Sequence, residues 1–442
     1  MTMPDLNSGA LAPVGDEVEV PAPMVSGAIP RDLNGTLIRN GPNPLDGRFA
    51  GAGVLDWWPE AAMLHALTFR DGRAVGYRNR WVRTRRWALA AGRDDADGFP
   101  DTNPNVNVVH HAGAILAMAE GGAPVAVTRA LDGARTPDWL GPFAAGCGAH
   151  AKQDRRTGEL IAFHAGWAAP QVKCGVYGAQ GEALAAMDVA LDPAVSIPMM
   201  HDIAITATRT VLLDLNVGYD LSMLSRGYRL PLRWFDDRPA RLGVLPRHGG
   251  PVRWYPIEPC FIQHVVNGYD EDDGALVLEA VRYPWYFRAA ADGSFEDDPL
   301  GLLWRYRLEP DSGVVREAQV DDAWLELPRI NEWHTGRRHD VVYAVEQPTP
   351  QEMRGLCRLQ RRTGERQRFE VAPGDQNSEP VFVARPGATA EDDGWLLACV
   401  YRRATDTSDV VILDARDIRE PVATVSLPRR IPAGFHGAWI DG

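Results

Sequence analysis

The stretch CFIQHVVNGYDEDDGALVLEAV, residues 260–281, decides the architecture. Two apolar runs flank an Asp/Gly turn at Asp270 to Gly274, the mark of a β-hairpin. The pattern recurs outward in both directions. Short runs rich in Val, Ile, Leu, Trp and Tyr flank turns at Asp71-Gly72, Asp154 to Gly158, Gln180-Gly181, Asp311 to Gly313, Thr363-Gly364 and Asp414 to Asp417. Hairpins repeated over 442 residues predict an all-β chain, and a β-propeller with loops inserted between blades fits better than one sandwich. Two stretches break the pattern. Residues 1–25 are Pro-rich and acidic and read as an extended arm, and the stretch from Asn216 to about Pro251 reads as a packed excursion with a helical turn on one face.

In a propeller the innermost strand of each blade lines the axis, so side chains far apart in the chain can meet there. Four histidines stand in strand-like surroundings: His150 in GCGAHAKQD, His201 in PMMHDIAIT, His264 in CFIQHVVNGYD and His436 in GFHGAWI. A ring of neutral imidazoles with no carboxylate among its ligands suits a redox-active divalent ion such as iron, with positions left open for oxygen and substrate. That points to an oxygenase. A lone histidine is more often a hydrogen-bonded core residue, and this ordinary reading is kept for His65, His110, His111, His164, His248, His334 and His339.

Composition removes other classes. Lys+Arg 46 against Asp+Glu 59 leaves a net charge of −13, unsuited to nucleic acid, whose phosphates need a basic surface. Lys152 and Lys173 follow Ala151 and Val172, so neither completes a phosphate-binding loop, and no G-x-S-x-G or full G-x-G-x-x-G occurs. Five scattered cysteines without C-x-x-C spacing predict buried thiols in a reducing cytoplasm. The first 20 residues lack a basic and an apolar region, and no uncharged apolar run is long enough to span a bilayer. The expected location is therefore the cytoplasm, with peripheral contact to a membrane as the furthest departure.

Ordered segments along nearly the whole chain resemble the carotenoid cleavage oxygenases. They include GAIPRDLNGTLIRNGPNP (27–44), NVNVVHHAGAILAMAEGG (105–122), AHAKQDRRTGEL (149–160), HDIAITATRTVLLD (201–214), CFIQHVVNGYDE (260–271), ELPRIN (326–331), SEPVFVARPGATAEDDGWLLACVY (378–401) and LPRRIPAGFHGAWI (427–440). The resemblance implies a seven-bladed β-propeller, here a single catalytic domain over residues 26–442, with a dome of loops and helices over an axial Fe(II). The matching ligand positions are His150, His201, His264 and His436. It also implies three glutamates behind the ligands, matched by Glu120, Glu326 and Glu379. A carboxylate accepting the distal ring N–H would fix the tautomer and raise the basicity of the other nitrogen.

Three positions depart from the family pattern. WWPEAAMLH (57–65) replaces a Gly/Asp-rich F-D-G-D-G-M turn, and a changed local backbone near the active-site side is expected. The usual Pro after the first ligand is Ala151. Members that cleave hydroxylated stilbenes tend to carry Lys directly before the first glutamate, where this chain has Ala119. The reaction expected is oxidative scission of an electron-rich C=C bond by O2 into two carbonyl products. No nicotinamide, flavin or oxoacid is implied, because the olefin supplies the electrons. Ala119 favours a carotenoid or apocarotenoid over a stilbenoid or phenylpropenoid, and no protein partner is implied. A polyene drawn from a membrane would need an apolar patch at the cavity mouth, for which Leu221 to Leu224 is the candidate. Isomerisation at the same centre, and a non-catalytic propeller serving as a binding platform, are the alternatives.

Overall fold

The computed structural model describes residues 5–442 except 52–53, 134, 167–168, 193–196, 291–294 and 351. Each of the seven turns read from sequence joins two antiparallel strands: Asp270 to Gly274, for example, connects Phe261–Asp270 to Leu276–Tyr283. Both strands are buried along almost their whole length. Each sheet is covered on two faces by its neighbours, so its strands read as continuous apolar runs and not as alternating ones.

The strands form seven blades among the described residues. The second to fourth start on the inner strands Asn107–His111, Lys152–Asp154 and Ala204–Ile205. The fifth and sixth share one long strand, Val315–Arg329. Its first part is the outer strand of the fifth, paired with Leu302–Leu308, and the part from Leu325 pairs with Val341–Glu346 as the inner strand of the sixth. The seventh blade starts on Gln376–Asn377 and Val381–Ala384.

Both ends of the chain close the ring. Met24–Gly27 is the outer strand of the seventh blade, paired with Asp417–Ser426, and Gly437–Asp441 is the inner strand of the first, paired with Gly35–Pro42. The apolar core lies between neighbouring blades. Leu37, Phe69 and Trp439 of the first meet Leu397, Val410 and Ile412 of the seventh, while Ile38 and Leu64 face Ile115 of the second.

The N-terminal segment, expected to be an extended arm, carries a 3-10 turn at Gly9–Leu11 and packs into the core. Leu6, Ala10, Ala12 and Val14 are buried, and the Asn43 side chain bonds both the N–H and the C=O of Val14 at 2.8 Å. The excursion is shorter than the sequence reading had it. It comprises a ribbon of Val217–Tyr219 with Leu232–Trp234 and the helical turn Ser222–Ser225, whereas Arg241–Pro246 is a full strand of the fourth blade. The apolar run RLGVLP pairs on both sides, which a surface excursion could not offer. Leu221 and Leu224 on this excursion are exposed, all five cysteines are buried and unpaired, and no described helix is long and apolar enough to cross a membrane.

Candidate metal centre

His150, His201, His264 and His436 come together on the axis, with one ring nitrogen of each inside a group whose members lie within 4.8 Å of one another. His201 and His264 place their Nε2 atoms 3.3 Å apart, and all four rings are at least nine-tenths buried. His264 stands on an inner strand, and the other three lie within three residues of the start of one.

Local backbone features aim each ring. The strand carrying His264 shifts register across it, between Ile262 and Val265, and again just after it, between Val265 and Asn267. Such bulges re-aim a side chain. Gly148, two residues before His150, lies against the face of Phe163, where an added Cβ would come within 2.4 Å of the ring. A larger residue there would push the His150 segment off its neighbour. His436 is held by its own peptide groups: its C=O accepts from Asn40 N–H at 2.9 Å and its N–H donates to Val106 C=O at 3.1 Å.

Three of the four imidazoles meet a carboxylate through Nδ1. His264 Nδ1 lies 2.5 Å from Glu326 Oε2, His436 Nδ1 lies 2.8 Å from Glu379 Oε1, and His201 Nδ1 contacts Glu120 Oε1. This contact orients each ring with Nδ1–H outward and leaves the Nε2 lone pair toward the axis. His150 has no such partner, and its buried Nε2 meets no hydrogen-bonding group. A buried imidazole nitrogen left alone beside three others is the kind of orphan that a divalent ion satisfies.

The carboxylates are held ionised. Burial pushes Glu379 up, but the Arg329 guanidinium and the His436 and Gly437 N–H groups outweigh it and bring the carboxyl down to about 2. Burial likewise opposes Glu326, while His264, the Tyr283 hydroxyl at 2.6 Å and the Leu327 N–H at 2.5 Å lower it. Leu327 adopts φ 50, a left-handed conformation costly for a branched side chain, and this turns its N–H onto the Glu326 carboxylate. Glu120 is also lowered, against burial, chiefly by His201. Among the imidazoles, burial and the other three rings hold His150 well below the usual range, and burial outweighs Glu379 at His436, so both are neutral. His264 is raised because Glu326 overcomes burial.

Sequence reasoning missed three supporting residues. Tyr283 and Arg329 steady Glu326 and Glu379 as described. Asp202 ties the inner strands of the third to fifth blades together, contacting Lys152 Nζ at 2.6 Å, Ile203 N–H at 2.7 Å and Val265 N–H at 2.8 Å. Its position directly after His201 and the scarcity of lysine were the available signals. Five of the seven other histidines bond to nearby groups, such as His65 to Tyr77 and His248 to Glu159. His164 lines the cavity described next.

The imidazoles lie between two spaces. On one side is a cavity of about 700 Å³ touching His201, His264 and His436. On the other is a polar channel of about 540 Å³ along the axis, touching His150, His264 and His436. Trp57 and Trp58, from the segment that departs from the family pattern, form an aromatic wall in the cavity with Phe435 (ring centroids 4.9 and 6.4 Å). Leu224 and Leu230 to Leu232 of the excursion line it too, so that segment covers the cavity as well as packing as a loop. Ala119 lies on the wall beside Glu120.

The retinal pigment epithelial membrane protein family model matches residues 11–441. The chain is 35% identical to the carotenoid cleavage oxygenase of Mycobacterium tuberculosis, the alignment covering 98% of this chain and 96% of that one. It is 28% identical to the apocarotenoid-15,15'-oxygenase of Synechocystis sp., over 94% and 92%. Among solved structures, the lignostilbene dioxygenase of Pseudomonas brassicacearum superposes with a TM-score of 0.88 at 25% identity over 99% of both chains. A cobalt-substituted Synechocystis ACO gives 0.84 at 25% identity over 97% of both.

Proposed function

Because this chain belongs to the carotenoid cleavage oxygenase family, and is an alkene-cleaving oxygenase by that membership, we propose that it cuts a C=C bond of a carotenoid or apocarotenoid at a ferrous ion held by His150, His201, His264 and His436. The observation that carries the reading is the convergence of four buried imidazoles, three of them backed by Glu120, Glu326 and Glu379. Four imidazole donors bring no negative charge to the ion, and the donor set fits iron. A ferrous ion bound there would supply redox chemistry with O2 at positions the imidazoles leave open.

The protein's own contribution is positional. The carboxylates fix the three rings, Asp202 sets the spacing of the inner strands, and the Trp57, Trp58 and Phe435 wall confines an apolar alkene beside the centre. Holding the double bond in one place decides which bond is cut and keeps water away. The balance is simple: the alkene and O2 give two carbonyl products, and no outside reductant enters. Residues 26–442 act in this reading as one catalytic unit onto which the N-terminal segment packs.

A second reading, scission of a stilbenoid, is favoured by the superposition on the lignostilbene dioxygenase and by the aromatic cavity wall. Ala119 weighs against it. The binding-platform alternative falls with family membership. Iron-loaded protein incubated with a polyene and a stilbene under ¹⁸O-labelled dioxygen tests all of this. Labelled aldehydes from the polyene are expected. Cleavage of the stilbene alone would favour the second reading, and a rearranged polyene without label would reveal an isomerase.

A further inference from the structure

Polar side chains on the cavity wall are partly committed elsewhere. Arg229 and Asn103 are tied to Glu60 and the Tyr283 hydroxyl to Glu326, while Trp57 Nε1, Gln347 Oε1 and Asn377 Oδ1 have no partner among the described residues. His164 differs. It ends the strand Glu159–His164 and lines the cavity, and neither of its ring nitrogens has a hydrogen-bond partner among the described residues, although Nδ1 is fully buried. Two glycines make room for the ring: a Cβ at Gly166 would meet Nε2 at 2.5 Å, and one at Gly146 would meet Cε1 at 2.9 Å.

That added Cβ at Gly146 would also come within 2.9 Å of the Gly121 C=O, and His164 lines the cavity together with Ala119, Glu120 and Gly121. Where a lysine ammonium would otherwise project, this chain has a methyl group, and the nearby imidazole has no partner among the described residues. Burial lowers the ring's proton affinity, which keeps it neutral and able to donate through one nitrogen and accept through the other. Nδ1 is shut away from solvent, so the nitrogen open to a ligand oxygen in the cavity is Nε2.

We propose that His164 is a specificity-determining residue which hydrogen-bonds a terminal hydroxyl of the alkene substrate, so that the enzyme prefers an oxygenated polyene to its hydrocarbon counterpart. This rests on the alkene-cleaving reading above and adds to it which end of the substrate is recognised. An imidazole without a charge suits an alcohol. A phenolate would call for a cation, which the wall lacks at Ala119.

The test uses a matched pair of polyenes, one ending in an alcohol and the other in a methyl group in its place, with wild type, His164→Leu and His164→Gln. KM and kcat are measured for both compounds, and binding is followed without oxygen through quenching of the tryptophan fluorescence. His164→Leu is expected to raise KM and Kd for the alcohol about 10-fold, with kcat nearly unchanged and the methyl compound affected less than about 2-fold. His164→Gln, which keeps a donor and an acceptor, should recover most of the alcohol's affinity. Equal losses for both compounds, or no loss for either, would overturn the role of His164 while leaving alkene cleavage standing. Wild type that binds and cuts neither compound would overturn both readings together.

Discussion

Replacing Glu379 by Gln tests the support behind the candidate ligands most directly. The carboxylate accepts from His436 Nδ1 at 2.8 Å and Gly437 N–H at 2.9 Å, with Arg329 Nη1 3.7 Å away. Glutamine retains one acceptor oxygen and turns an NH2 toward the other donor, so it cannot serve His436 and Gly437 at once. It also leaves the buried Arg329 with less compensation. Loss of such a carboxylate partner weakens metal binding about 10- to 100-fold, or about 1.4 to 2.7 kcal/mol. The assay is anaerobic competition for ferrous ion against a chelator of known affinity, on protein shown to be folded. Glu159→Gln is the control, because Glu159 contacts His248 and Arg247 away from the centre and its loss should leave iron affinity unchanged. Wild-type affinity in Glu379→Gln, or equal weakening in both variants, would refute the argument that this carboxylate acts through His436.

Acid should destabilise the metal-free protein through the same group. The folded Glu379 carboxyl is depressed from 4.5 to about 2, so its stabilisation is complete above about pH 4.5 and is lost as pH falls toward 2. Urea unfolding at pH 6 and 3.5 should show Glu379→Gln losing about 1 kcal/mol less than wild type over that interval. Tyr283→Phe removes a hydroxyl bonded to Glu326 and should cost about 2 kcal/mol in the same assay while iron content holds, because His264 still meets Oε2. Ala119→Lys would place an ammonium beside Glu120 on the cavity wall, and competition kinetics should show relative turnover of a phenolic stilbene over a polyene rising about 10-fold.

The hairpins were legible because Asp/Gly turns and continuous apolar runs are local properties. The four histidines and three glutamates were legible through their matching segments, and the structure brings each glutamate to a different ring. Other features depend on what arrives from elsewhere in the chain. Nothing in Val315–Arg329 announces that one strand serves two blades. The excursion was drawn too long because RLGVLP, read alone, does not reveal that it pairs on both sides. Arg329 lay inside a quoted motif, but its role depends on Glu379 in the next blade. His164 looked ordinary because an unmet hydrogen-bonding capacity becomes visible only once its surroundings are known.

Closure of the ring through Gly437–Asp441 has a consequence for assembly. His436 immediately precedes that strand, so the fourth imidazole and the seal between the first and seventh blades arrive in one short stretch of chain. During synthesis the other three imidazoles emerge earlier, yet a complete ion-binding ring waits until residues 436–441 leave the ribosome. A nascent chain halted before that point would be open at the seam between the first and seventh blades and would lack one of the four imidazoles that converge on the axis.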